Sequence, residues 1–256
     1  FTAAASFTCY TLGMDNSGTD SGDTVIRRPE GRYVIWQDDA LPPLDERQFN
    51  PSGYERAEPI IGKGGRGSAW FVEIAGIPAV LKHYRRGGWA AKLSSDWYWG
   101  LHDRDSRSFQ EMNLLHYLCD EGLPVPRPLA AFRFGRFGFY QAAILTERIA
   151  GARSLVEAVS AGDAPWSAVG QTLAKFHVLD IRHADLNANN ILIDPSGKVH
   201  FIDWDKGNVV SHDNGWRGRV IDRLVRSLCK ECAGSGADAL ASGLVTMRRA
   251  YEGELV

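Results

Sequence analysis

The sequence predicts an α+β fold in two lobes: a small antiparallel β-sheet with one helix over residues 25–146, and a mainly helical lobe over 147–256, after a flexible tail over 1–24. Three observations lead there. Short β-branched and aromatic runs, punctuated by Gly and Pro, fill the first half and are interrupted by one stretch of helical periodicity. Helical spacing dominates the chain beyond residue 150. In that second half, HADLNANN (183–190) runs into ILIDPSGKVHFIDWDKG (191–207), where two apolar runs flank the turn-forming Asp194-Pro-Ser-Gly-Lys. This segment reads as a β-hairpin that gathers Asp185, Asn190 and Asp203 at the edge of its strands.

A chain of 256 residues with 44% hydrophobic content can fill two lobes or one large domain. Its net charge of −2 creates no global field toward nucleic acid or a membrane, so any such affinity is local. No run of 18 apolar residues is present, and no transmembrane helix is expected. Residues 1–13, FTAAASFTCYTLG, lack a basic start and a continuous apolar core, so no signal peptide is expected there. The first residue is Phe1, and Met14 is the expected physiological start. Among the four cysteines, Cys119 lies in an apolar helical pattern and is expected to be buried. Cys229-Lys-Glu-Cys232 is a lone CxxC without a second pair or a histidine cluster, and reads as incidental. Reduced thiols in the cytoplasm are the simplest account.

Residues 14–24 are mostly Gly, Ser, Thr and Asp with little to bury, and are expected to be mobile. Arg32-Tyr-Val-Ile-Trp36 reads as a strand, followed by a connector punctuated by Pro42, Pro43 and Pro51. Gly62-Lys-Gly64-Gly65-Arg-Gly67 fits G-x-G-x-x-G, yet AWFVEI (69–74) after it is strand-like, so the loop belongs at a hairpin tip and not at a helix start. PAVLK (78–82) is the next strand and ends on Lys82. Over 106–118, Phe109, Met112, Leu115 and Leu118 take helical spacing, with Glu111 on the same helix.

Residues 82–107 carry six Lys/Arg against three Asp, interleaved with Trp89, Trp97, Tyr98 and Trp99. That mixture suits an anionic lipid headgroup region; single-stranded nucleic acid could also exploit it, and an aromatic cluster with a solvated basic rim is the third reading. Pro124, Pro126 and Pro128 form a rigid connector, then 129–133 and 137–146 read as two more strands. Glu147-Arg-Ile149 is the expected hinge between lobes. Helices are expected over 155–160, 166–178 (Val169, Leu173 and Phe176 on one face), 216–230 and 237–251. About a dozen residues separate Asp203 from the helix near 216, which leaves little room for a peptide-docking platform and favours a sugar or glycolipid hydroxyl as acceptor.

Two carboxylates and a carboxamide held together suit a phosphotransferase that uses magnesium and a nucleotide. One carboxylate takes the proton of an attacking hydroxyl, while a second carboxylate and an amide oxygen hold magnesium against the phosphates. Asp185 is then the base, and Asn190 and Asp203 the metal ligands. The stretch resembles the catalytic and metal loops of the protein-kinase-like superfamily. His183-Ala-Asp185 stands where His-Arg-Asp is usual, Asn190 falls at the fifth place after it, and Asp203-Trp-Asp replaces Asp-Phe-Gly. Arg is lost from the first motif and Gly from the second. The resemblance implies a protein-kinase-like two-lobe fold, in which Gly62, Gly64 and Gly67 cover the phosphates of ATP. Lys82 would reach those phosphates with Glu111 as its anchor, and the backbone at Glu147 and Ile149 would pair with adenine.

HYRRGG (83–88), GLPVPRPLAA (122–131), LAKFH (173–177), HADLNANNILID and FIDWDKG are together similar to the Kdo and lipopolysaccharide core heptose kinase family, over roughly residues 30–252. The family implies ATP-dependent phosphorylation of the 4-hydroxyl of 3-deoxy-D-manno-octulosonic acid (Kdo) on a lipid A precursor. It also implies a peripheral protein at the cytoplasmic face of the Gram-negative inner membrane, with ATP and Mg2+ as cofactors. The expected partners are the anionic glycolipid and the membrane surface, with no nucleic acid and no obligate protein partner. Arg85 and Arg86 are the candidates for the acceptor's carboxylate or lipid phosphates. Asn187 falls where a protein kinase commonly has lysine, so stabilisation of the γ-phosphate comes from elsewhere. Asp205 either serves a second metal or caps its loop. A heptose kinase differs in acceptor alone. A small-molecule antibiotic kinase shares the HxD loop without needing the basic aromatic segment. An inactive membrane-associated pseudokinase scaffold has no reason to retain Lys82, Glu111, Asp185, Asn190 and Asp203 together.

Overall fold

The computed structural model describes residues 23–28, 33–60, 68–84, 98–99, 105–136, 139–212, 214–234 and 236–255. Gly62, Gly64, Gly67, Arg85, Arg86, Trp89 and Trp97 lie outside the described residues, as does the tail before Asp23. The chain divides into two compact units, Phe1–Asn113 with Pro128–Glu147, and Leu114–Arg127 with Arg148–Val256.

The first unit is built on an antiparallel sheet of eight strands: β1 (Asp23–Arg28), β2 (Tyr33–Asp38), β3 (Glu58–Pro59), β4 (Ala69–Ile74), β5 (Ile77–His83), β6 (Tyr98–Trp99), β7 (Pro128–Arg136) and β8 (Phe139–Glu147). Their order is β1-β2-β7-β8-β5-β4-β3, with β6 pairing the first residues of β8. Ala75 and Gly76, at φ 50° and 78°, make the two-residue turn between β4 and β5. Positive φ at both positions matches the twist of the flanking strands and fixes their register. In that register Ala79 and Leu81 are fully buried, together with Ile35, Leu129, Ala143 and Leu145 from the neighbouring strands.

Two features of this unit differ from the sequence expectation. β1 opens inside the polar stretch that was expected to be mobile. Trp36 is buried and its indole N–H needs an acceptor, which Asp23 Oδ2 supplies at 3.0 Å. The Pro-punctuated connector also folds. Gln37 accepts from Leu44 N at 2.9 Å and donates to the carbonyls of Leu41 and Pro42, and 3₁₀ turns form at Glu46–Phe49 and Pro51–Gly53. Leu41, Leu44 and Phe49 thereby join the core of the sheet.

Helix α1 (Arg107–Asp120) buries Phe109, Met112, Leu115 and Leu118 as its periodicity predicts. Cys119 is half-buried, contrary to expectation, because it lies one residue beyond that apolar face.

The second unit contains α2 (Leu155–Ala161), α3 (Trp166–Val178), α4 (Trp216–Glu231) and α5 (Ala237–Gly253). Short strands β9 (Arg153–Ser154), β10 (Ile181–Arg182), β11 (Ile191–Ile193), β12 (Val199–Phe201) and β13 (Asn208–Val209) form two small sheets, β12-β11-β9 and β10-β13. Ser154 and Glu157 cap α2 reciprocally. α3 and α5 approach closely at a glycine: a Cβ on Gly170 would lie 2.1 Å from the Met247 carbonyl oxygen. His177, buried on α3, meets the Tyr251 hydroxyl at 2.8 Å and packs edge-on against Trp216. Burial, with the nearby Arg217 guanidinium, pushes its pKa down to about 3. Phe176 stacks on Phe201 at 5.0 Å and packs against Trp204, which ties the hairpin to α3. Cys229 is exposed and Cys232 buried, both as free thiols.

Candidate active site

Among the described residues, those singled out by the sequence fall into two clusters, one in each unit, while Gly62, Gly64, Gly67, Arg85 and Arg86 lie outside the described residues. In the first, Lys82 near the end of β5 donates to both carboxylate oxygens of Glu111 on α1, at 2.8 and 2.7 Å. Glu111 is 4% exposed and Lys82 21%. A carboxylate this deep needs its lone pairs met by donors, and the Tyr84 hydroxyl supplies a third. The Lys82 ammonium lies 4.9 Å from the Tyr84 ring centroid, and the Arg107 guanidinium 5.2 Å from the same ring. Such a buried pair contributes little net stability, because desolvation offsets its attraction. What it does is hold the ammonium in one place. Glu147, at the end of β8, pairs with Ala79 of β5, and Ile149 lies two residues on, half-buried.

The second cluster is the hairpin. β11 pairs with β12 in the register Ile191↔Phe201. The Asn190 carbonyl accepts from Ile202 N at 3.0 Å, so Asn190 and Asp203 flank the open end. At the closed end Asp194 accepts from Ser196 N, Ser196 Oγ and Lys198 N and contacts His200. These bonds, led by that from Ser196, hold its carboxyl far below the usual range.

The loop before the hairpin is organised by two side chains. His183 Nδ1 accepts from Asp185 N at 3.2 Å, so the ring proton sits on Nε2, which donates to the Ile202 carbonyl at 2.9 Å. This neutral tautomer links the Asp185 backbone to the residue before Asp203. The Asn190 amide nitrogen donates to the Asp185 carbonyl at 3.0 Å, and Asn187 does the same at 3.1 Å. A carbonyl can only accept, so each amide group has its NH2 turned inward. The Asn190 Oδ1 is left as an acceptor with no hydrogen bond among the described residues.

Asp203 is exposed and adopts φ 63°, in the left-handed region. Trp204 beside it is buried, donating to the Phe201 carbonyl at 2.9 Å and packing on His183. The Trp that replaces Phe in the usual motif is therefore a core residue. The glycine comes four residues after Asp203, at Gly207, where a Cβ would meet Leu114 at 2.8 Å and Trp204 at 2.9 Å.

Asn190 Oδ1 and the Asp203 carboxylate are hard oxygen donors. They fit magnesium, which binds through one or two carboxylates plus substrate phosphates. Among the described residues no three His, Cys, Asp or Glu side chains form a metal-ligand group, which an all-protein zinc or calcium cage would need.

Sequence reasoning missed two residues. Tyr84 had a signal: it lies two positions past Lys82, on the same face of an extended segment. Arg223 had none. From α4 it donates Nη2 to Asp185 Oδ1, across 38 residues of sequence, with both side chains about half exposed.

Comparison with known proteins agrees with this geometry. The family model described as "Lipopolysaccharide kinase (Kdo/WaaP) family" matches residues 54–242. A protein of Stenotrophomonas maltophilia (strain R551-3) named 3-deoxy-D-manno-octulosonic acid kinase is 41% identical over 239 residues, covering 91% of this chain and 96% of the relative. Proteins of the same name in Xylella fastidiosa (strain M12) and Xanthomonas axonopodis pv. citri (strain 306) are 43% and 39% identical. They cover 77% and 91% of this chain and 80% and 96% of their own lengths. With its α+β architecture, its paired Lys82 and Glu111 and its catalytic-type hairpin, the chain belongs to the lipopolysaccharide kinase (Kdo/WaaP) family.

Proposed function

We propose that the protein transfers the γ-phosphate of Mg-ATP to the 4-hydroxyl of Kdo on a lipid A precursor, in assembly of the lipopolysaccharide inner core. The observation that carries this reading is the inward-turned amide of Asn190 beside Asp185 at the open end of the hairpin. Relatives bearing the Kdo kinase name along nearly the whole chain support the acceptor.

In this reading residues 25–146 form the nucleotide lobe and 147–256 the catalytic lobe. Lys82, held by Glu111, sets a fixed positive charge against the phosphates, under a cover made by Gly62, Gly64 and Gly67. The backbone at Glu147 and Ile149 takes the adenine. Asn190 and Asp203 hold magnesium, which when bound supplies charge neutralisation at the phosphates. Asp185 orients the sugar hydroxyl and accepts its proton. Arg85 and Arg86 contact the acceptor. The membrane surface is met peripherally: among the described residues no helix is long and apolar enough to cross a membrane.

The test is incubation with Mg-ATP and Kdo-lipid A precursor, with mass spectrometry of the product. One added phosphate on Kdo is expected. Asp185→Ala should lower turnover by about 10²–10⁴-fold while nucleotide binding is retained. Absence of transfer by the unaltered protein sinks the reading, and undiminished turnover in the variant removes Asp185 from the mechanism.

A further inference from the structure

α4 carries five basic and two acidic residues, and its cations are not scattered. Arg219, Arg223, Arg226 and Lys230 succeed one another at intervals of four, three and four residues. At 100° per residue they fall within about 60° of the helix circumference, a single stripe about 16 Å long. All four are exposed. Arg219 is held by Asn214 at 2.7–2.8 Å, and Lys230 has a loose contact of 3.7 Å with Glu231. Arg226 has no partner among the described residues. Asp222, also exposed, flanks the stripe about 40° from Arg226 and does not interrupt it.

A basic helix face is ordinarily a solvated one. Here a second, independent observation gives it a direction. The stripe's second member, Arg223, donates to Asp185, the carboxylate assigned above to the reacting hydroxyl. A guanidinium has five donors in a fixed fork, and among the described residues only one from Arg223 is used. The rest stand next to the place where the acceptor hydroxyl must arrive. Four cations along about 16 Å exceed what one carboxylate needs. They match a headgroup with several separated oxyanions.

We infer that α4 is the docking track for the anionic headgroup of the glycolipid acceptor. Arg223 takes the oxyanion nearest the reacting sugar, and Arg226 and Lys230 take those further along. The inference rests on the proposed Kdo kinase reading and adds a specificity surface to it, separate from Arg85 and Arg86. Arg223 acts at both ends. It orients Asp185 from one edge of its fork and meets the acceptor with the other, so both reacting partners are placed by one rigid group.

Arg226 and Lys230 touch neither Asp185 nor any metal ligand, which makes them the informative pair to change. For Arg226→Ala/Lys230→Ala in the full chain, the KM for Kdo-lipid A precursor in mixed micelles should rise about tenfold, the equivalent of one charge-assisted contact. The kcat and the KM for ATP should stay within about twofold, and the dependence of acceptor KM on salt should flatten. An unchanged acceptor KM overturns the inference, as does a parallel loss in kcat and both KM values, which reports damaged packing. Binding to phosphatidylglycerol vesicles without the glycolipid supplies the other arm. If the variant loses that binding as strongly as it loses acceptor binding, the stripe reads the membrane surface and the inference fails. An unaltered protein that transfers no phosphate to this acceptor overturns the functional reading and the inference with it. Transfer by the unaltered protein with no change in the variant overturns the inference alone.

Discussion

A carboxylate 4% exposed, met by an ammonium on both oxygens and by a phenol on one, defines the residue scale of this protein. Removing the phenol leaves the buried Glu111 carboxylate one donor short. Tyr84→Phe is therefore expected to cost about 1–2 kcal/mol of stability. It should also weaken ATP binding severalfold, because Lys82 loses its fixed position without losing its charge. Urea denaturation and ATP titration check the two parts; an unchanged affinity would show that the Lys82 pair orients itself. Lys82 and Glu111 were legible in the sequence because a lysine ending a strand after a glycine loop, with an acid on a later amphipathic helix, makes two local patterns in a fixed order. Arg223 was not legible. Its partner lies 38 residues away, and no local signal separates it from other arginines of α4.

At the scale of elements, segments with a period or a flanking turn signal could be read, the short hairpin strands β11 and β12 and helix α2 among them, and the two-residue strands could not. α1, α3, α4 and α5 carry enough turns for their apolar stripes to show, and β4, β5 and β8 enough alternation or apolar content. The two-residue strands β3, β6, β9, β10 and β13 have no period at all. β1 and the folded connector exist because of what they cover. The Trp36 indole recruits Asp23, and Gln37 recruits the backbone of Leu41, Pro42 and Leu44. The α3–α5 contact is likewise invisible in either helix alone. Its spacing is set by Gly170 against the Met247 carbonyl. Gly170→Ala puts a methyl group 2.1 Å from backbone that cannot rotate away, despite the better helix propensity of alanine. A loss of about 1–3 kcal/mol is expected, read as a lower thermal midpoint. A neutral or stabilising result would mean that the two helices slide apart freely.

For the molecule as a whole, the fold class came from the order of strand-rich and helix-rich segments, and the reaction class from the hairpin between residues 183 and 207. Sensitivity to acid comes from burial. His177 has a folded pKa of about 3 against an ordinary value of 6.5, so the unfolded chain takes up a proton that the folded chain refuses. The stability this gives is complete above pH 6.5 and drains away as pH falls toward 3, by an amount on the order of a few kcal/mol. Asp194, also depressed, adds a further loss once pH falls through the carboxylate range. Urea midpoints at about pH 7.5 and about pH 4.5 should therefore differ clearly, and by less in His177→Gln. An equal difference in both proteins would place the acid sensitivity elsewhere.

Position 203 illustrates a conflict between durability and chemistry. Its φ of 63° is one that a side chain tolerates at a cost of about 1 kcal/mol and that glycine adopts freely. The substitution that relaxes the backbone is thus the one that deletes the carboxylate. Selection for thermal robustness alone pulls this site toward glycine, while under the metal-holding role proposed for Asp203 selection for turnover pulls it back to aspartate. Any effort to harden the enzyme must hold this position fixed and seek its gains elsewhere.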